Sequence, residues 1–194
     1  MDNKEDKMIE QELIEKLTKE INLNPDDSLT FKARASLKAD IGEYEEAIKD
    51  YDKAIEINPF DYSALFSRAT LKAEIGDTKS ANEDFRNASA VDSYIAGNMK
   101  QKVADYKGAK ENYSSAIELN PAFTEAYFSR GVTEWCLGDY INAIKDYNKV
   151  IELDPKHVSA YKYRGMAEAD LGDYQNAQKD YRKEFELSSD NSIV

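Results

Sequence analysis

Apolar side chains recur at steps of four and three through residues 43–59 (EYEEAIKDYDKAIEINP), so Ala47, Tyr51 and Ala54 share one helical face, with Ile48 and Ile55 beside them. Gly42 precedes the segment and Pro59 closes it. Glycine takes the left-handed conformation that ends a helix, and proline cannot continue one. The segment returns as DYINAIKDYNKVIELDP at 139–155 and, with more polar substitutions, at 77–93, 105–121 and 173–189. The pattern predicts an all-α chain made of one amphipathic helix pair used five times.

The glycines and prolines set the period. Gly42 to Gly76 and Gly138 to Gly172 are each 34 residues, as are Pro25 to Pro59 and Pro121 to Pro155. Gly76 to Gly138 and Pro59 to Pro121 are 62, six short of two periods. One repeat has therefore lost six residues. The expected organisation is a capping helix in residues 1–27, repeats at 28–61, 62–92, 93–123 (shortened), 124–157 and 158–187, and a frayed tail at 188–194.

These residues resemble the tetratricopeptide repeat family. The first repeat supplies Phe31, Ala35, Gly42-Glu43-Tyr44, Ala47, Tyr51, Ala54 and Pro59. The fourth supplies Tyr127, Gly131, Gly138-Asp139-Tyr140, Ala143, Tyr147, Val150 and Pro155, and the fifth Tyr161, Gly165, Gly172-Asp173-Tyr174, Ala177 and Tyr181. The resemblance implies a right-handed α-solenoid of antiparallel helix pairs whose first helices line a groove for peptides or proteins. Family members that grip chaperone C-terminal carboxylates use lysine, arginine and asparagine at set first-helix places. Here those places hold Lys32, Ser36, Ser67, Val91 and Ile95, of which only Lys32 fits.

The ends and the short repeat depart from the pattern. Ile9, Leu13, Leu17 and Ile21 form a stripe at steps of four, read as the apolar face of the cap. At 88–97 Ser93 stands where a proline is expected, and Asn82 and Ser89 replace the Ile48 and Ile55 type. A shortened connection and a truncated first helix are expected there, with a weak junction between repeats two and three. In the fifth repeat Gln178 and Glu184 replace apolar residues, as a solvent-facing terminal repeat requires.

Charge and chemistry narrow the function. With 26 basic and 38 acidic side chains the net charge is −12, which repels nucleic acid and anionic membranes. The deficit is −9 over residues 1–92 and −3 over 93–194. No stretch is apolar enough to cross a bilayer and residues 1–11 lack a signal-peptide core, so a cytoplasmic protein is expected. The single Cys136 and single His157 support no disulfide, metal site or nucleophile–base pair, and are read as a packing residue and a solvated loop residue. No cofactor, no metal and no enzymatic activity are expected.

Two sets of residues remain. Arg34/Asp50, Arg68/Asp84, Arg130/Asp146 and Arg164/Asp180 lie at equal distances before and after their turns, which places each pair at one height in an antiparallel hairpin. Repeat three has lost both members, to Ala96 and Asn112. These are read as structural ion pairs, with carboxylate reception as the alternative. On the first-helix face turned away from the second helices, the candidate groove residues are Lys32, Phe66, Tyr94, Asn98, Phe128, Val132, Trp135, Lys162 and Met166. An exposed run of Phe66, Tyr94, Phe128 and Trp135 would mark a binding strip; the alternative is that the rings pack on one another as core. The expected function is a non-catalytic protein–protein interaction scaffold, monomeric or homodimeric, with a peptide or protein segment as partner. The alternatives are a self-associating assembly protein and a regulatory domain of a larger complex.

Overall fold

A computed structural model describes residues 3–190. Its helices are α1 (Asn3–Leu23), α2 (Ser28–Asp40), α3 (Tyr44–Ile57), α4 (Tyr62–Glu74), α5 (Thr78–Lys102), α6 (Tyr106–Leu119), α7 (Thr124–Cys136), α8 (Tyr140–Leu153), α9 (Val158–Asp170) and α10 (Tyr174–Asp190). Among the described residues there is no strand, and the fold is an all-α tetratricopeptide-type solenoid. The chain divides into two compact units, Met1–Val91 and Asp92–Val194.

Turn chemistry sets the hairpins. Gly42, Gly76, Gly138 and Gly172 carry φ between 77 and 88°, the left-handed conformation that reverses the chain after a first helix. At the first of them the Gly42 amide bonds Ala39 O at 3.0 Å and the Glu43 amide bonds Lys38 O at 2.8 Å. Repeat three makes the same turn on Ala104, at φ 61°. Aspartates then cap the following helices, Asp105 accepting from the Gly108 amide and Asp139 from the Asn142 amide.

In the N-terminal unit Ala35, Ala47, Tyr51, Ala64 and Leu71 form the core between α2, α3 and α4. Ile21, Phe31 and Ala54 fasten α1 to α2 and α3. In the C-terminal unit Ala143, Tyr147 and Ala167 are fully enclosed by α7, α8 and α9. Each buried ring contributes about 1.5–3 kcal/mol by leaving water, and alanine or glycine opposite it lets the backbones close on the ring. A Cβ on Gly131 would stand 2.8 Å from Tyr147 Cε1, so only glycine fits there.

Three expectations change. The connection at 88–97 is absent: α5 runs unbroken through Ser93, so residues 78–91 belong to the N-terminal unit and 92–102 to the C-terminal one. From the start of α3 to the end of α4 is 31 residues and α5 is 25, so the four-residue turn and two helical residues are gone; serine, unlike proline, places no barrier in a helix interior. The apolar face of α1 is Ile14 and Ile21, with Leu17 and Thr18 partly covered between them, while Ile9 and Leu13 are exposed. Residues spaced by seven stay in line with a straight neighbouring helix, whereas steps of four drift around the axis. Residues 188–190 of the expected frayed tail continue α10, and 191–194 lie outside the described residues.

Candidate functional site

Each arginine–aspartate pair forms a bidentate bond across its hairpin. Arg34 Nε and Nη2 reach Asp50 at 2.8 and 2.6 Å. The equivalent bonds are 2.8 and 2.7 Å for Arg68–Asp84, 2.7 and 2.7 Å for Arg130–Asp146, and 2.6 and 2.6 Å for Arg164–Asp180. The aspartates are buried, and the planar guanidinium matches the carboxylate edge. The third nitrogen, Nη1, reaches back to the preceding second helix, on Thr18 Oγ1 (3.0 Å), Asp52 Oδ1 (2.7 Å), Ser114 Oγ (3.1 Å) and Asn148 Oδ1 (2.6 Å). One side chain thus closes its own hairpin and fastens it to the repeat before. With all three nitrogens engaged inside the fold, these arginines are poorly placed to receive a partner's carboxylate.

Four residues after each arginine stands a group that the sequence reading passed over. In the N-terminal unit Lys38 and Lys72 join the pairs, each 2.8 Å from Asp50 and Asp84 respectively. Lys100 holds Asn112 at 2.8 Å. In repeats four and five the same column carries Glu134 and Glu168. Lys110 meets Glu134 Oε1 at 3.0 Å, but Glu134 Oε2 and Glu168 Oε2 are buried without a hydrogen-bond partner. Burial, then the charge of Asp146 or Asp180, pushes both carboxyls above the ordinary glutamate range. The signal was present in the sequence as a column spaced like the arginines.

The candidate groove residues do not form one exposed strip. Phe66 on α4 is 47% exposed and edges onto Phe85 at 5.2 Å. It borders a cavity of about 230 Å³ lined by Ala39, Tyr51, Phe66, Ser67, Thr70 and Leu71. Lys32 is held at 2.6 Å by Asp61. Against desolvation, which raises it, the bonds from Lys32, Ser63 and the Ala64 amide hold the Asp61 carboxyl below its ordinary range.

In the C-terminal unit the rings lie down. Tyr94 stacks near Tyr113 and Phe123, at 5.8 and 5.0 Å, and Asn98 with Gln101 brackets the Tyr113 hydroxyl at 2.8 and 2.7 Å. Burial raises that phenol to about 12. Phe128 contacts Tyr147, His157 and Tyr163, and Val132 and Trp135 pack on the Tyr147 core. Trp135 Nε1 donates to Asp170 at 2.8 Å. Lys162 is exposed and Met166 half-buried. The expected run of exposed aromatics thus reduces to Phe66, because in repeats three to five neighbouring rings are large enough to cover one another.

His157 is not a solvated loop residue: it caps α9, its Nδ1 accepting from the Ala160 amide at 3.1 Å. Cys136, expected to pack, is exposed. Among the described residues no cluster of ligands suits a metal ion, and no helix is long and apolar enough to cross a membrane.

The tetratricopeptide repeat family model matches residues 29–61 and 124–157, and a second tetratricopeptide repeat model matches 164–191. The chain is a tetratricopeptide repeat protein. The matches fall on repeats one, four and five, where the glycine, alanine and aromatic positions are kept. Among solved structures, this tetratricopeptide repeat protein is similar to a crystal structure of MamA, at 25% identity, TM-score 0.55, and coverage of 82% of this chain and 97% of that one. It is similar to YrrB, described as a TPR protein with an unusual peptide-binding site, at 26% identity, TM-score 0.51, and coverage of 90% and 93%. The second TPR of Spaghetti (RPAP3), bound to the HSP90 peptide SRMEEVD, aligns at 27% identity and TM-score 0.50, over 51% of this chain and 92% of that one. No curated protein matches.

Proposed function

We propose that the protein is a non-catalytic scaffold that holds a peptide or extended protein segment, with an apolar side chain of the ligand anchored beside Phe66. The observation that carries this reading is the cavity at Phe66, walled by Tyr51 and Leu71 and rimmed by Ser67 and Thr70. Its volume of about 230 Å³ suits one large side chain better than a drug-sized molecule. Aromatic anchors in such settings carry a large share of binding energy. Peptide binding by YrrB and by the Spaghetti domain supports the class of ligand. A carboxylate-led mode like that of a chaperone tail is disfavoured, since Lys32 is engaged by Asp61 and the matching places hold Ser36, Ser67, Val91 and Ile95.

The test is to pan a random-peptide display library on the intact chain and measure selected peptides by fluorescence anisotropy. Phe66→Ala is expected to weaken them at least thirtyfold, about 2 kcal/mol, with helicity and melting temperature nearly unchanged. Trp135→Ala serves as the control that lowers stability. Failure to select any peptide, or undiminished binding by Phe66→Ala, overturns the reading.

A further inference from the structure

We propose that Glu134 and Glu168 are proton-binding positions through which the C-terminal unit responds to mild acid. At both, a carboxyl occupies a place that lysine fills in the first three repeats, beside an aspartate already bonded to its arginine. Glu134 is only 4% exposed, and its Oε2 has no partner, as is true of Glu168 Oε2. An oxygen that is buried and unbonded as an anion becomes a neutral hydroxyl on protonation, which removes the burial cost of the charge.

The surroundings differ between the two sites. Glu134, on α7, meets Lys110 of α6, Asp146 and Tyr147 of α8, the last with its own hydroxyl buried and unbonded, and Arg130 of its own helix. Lys110 also reaches Asp139, which caps α8, at 3.8 Å, and α9 brings Asp170 to the neighbouring Trp135. Glu168, on α9, meets Asp180, Lys179 and Tyr181 of α10, Asp173 that caps α10, and Arg164 of its own helix. From α8 comes the uncharged Asn148, already taken by Arg164. Lysine offsets the charge at Glu134; at Glu168 no side chain donates to the free oxygen. Both carboxyls lie above the ordinary value of 4.5. The folded unit therefore holds more protons than the unfolded chain at pH above that value, and its stability rises as pH falls toward it. The effect is fully present below 4.5 and is lost as pH rises through the folded-state values.

The experiment uses the intact chain. Glutamate carboxyl carbons are followed by NMR from pH 4 to 8, and amide exchange, corrected for its intrinsic pH dependence, is measured on the same samples. Glu134 and Glu168 are expected to titrate above the exposed glutamates. Opening of α7–α10 is expected to become rarer on acidification, by up to about tenfold per pH unit for each carboxyl. Glu168→Gln, and Glu134→Gln with it, should flatten that response and leave α2–α4 unchanged. Titration of both carboxyls together with the exposed glutamates overturns the proposal whatever the variants do. So does an acid response that survives in the folded double variant.

Discussion

The N-terminal and C-terminal units solve the same packing problem with opposite charge. Around Asp50 and Asp84 an arginine and a lysine converge on one buried carboxylate, which leaves positive charge in excess at Asp50, while at Asp84 the exposed Asp52 takes the third arginine nitrogen. Around Asp146 and Asp180 the arginine faces an aspartate and a second carboxyl, and two oxygens go without partners. The apolar frame is alike in both, an alanine or glycine against a ring. Four of the five hairpins thus keep the arginine–aspartate bond, and the residue one turn later varies between them.

The largest effect should come from removing the shared aspartate. Asp50→Ala leaves Arg34 and Lys38 without a counter-charge and is expected to cost about 3 kcal/mol. Asp146→Ala leaves Arg130 alone but relieves Glu134, and should cost about 2 kcal/mol. Urea unfolding with site-resolved amide exchange measures both. Equal costs would end the contrast drawn between the units, and a cycle with Arg130→Ala that shows no coupling would remove the pair as a structural element.

A smaller effect separates the ring contacts. Gly131→Ala places a methyl against the enclosed Tyr147 ring and is expected to destabilise by about 1.5 kcal/mol net of the gain in helix propensity. Ala35, its counterpart in repeat one, already coexists with a buried Tyr51, so Ala35→Gly should cost about 1 kcal/mol instead. Both variants should melt below the parent, and a Gly131→Ala chain that melts higher would show that the Tyr147 contact has room for a methyl.

Converting one unit toward the other is the constructive test. Glu168→Lys rebuilds the Lys72 arrangement beside Asp180 and is expected to stabilise by about 1 kcal/mol at neutral pH. A loss of stability would mean that α9 and α10 have no room for the lysine. Ala104→Gly should stabilise by about 0.5 kcal/mol, because alanine holds φ 61° where the other repeats use glycine. The smallest signal is in acid. Asp61 lies below its ordinary value of 3.8, so its contribution to the N-terminal unit persists at higher pH and is lost as pH falls through its folded value. Exchange in α4 should therefore quicken as pH falls below 3.8, while exchange in α7–α10 slows as pH falls toward 4.5. Parallel responses would count against the distinction.

Much of this was legible in the chain. A 34-residue spacing of glycines and prolines specifies helix ends directly, because both residues act on the backbone where they stand. The pairing of Arg130 with Asp146 was readable for a related reason: equal offsets from a tight turn bring two residues to one height. The column of Lys38, Lys72, Lys100, Glu134 and Glu168 was readable in the same way and was missed, since a change of sign hides a repeated position.

Other features needed the third dimension. Deleting six residues near Ser93 leaves open whether a turn shortens or vanishes, and the structure shows that it vanishes into one continuous α5. The face that α1 buries was settled by α2 and α3, which take Ile14 and Ile21 and leave Ile9 exposed. Phe66 and Phe128 occupy like places on first helices, yet only Phe66 stays exposed, since Phe128 finds Tyr147, His157 and Tyr163 around it. Local sequence determined the helices, their ends and the hairpin ion pairs, because those interactions span one turn of helix or one tight loop. Whether a ring or a carboxyl is covered was decided only by tertiary structure, because burial is a property of neighbours brought from elsewhere in the chain.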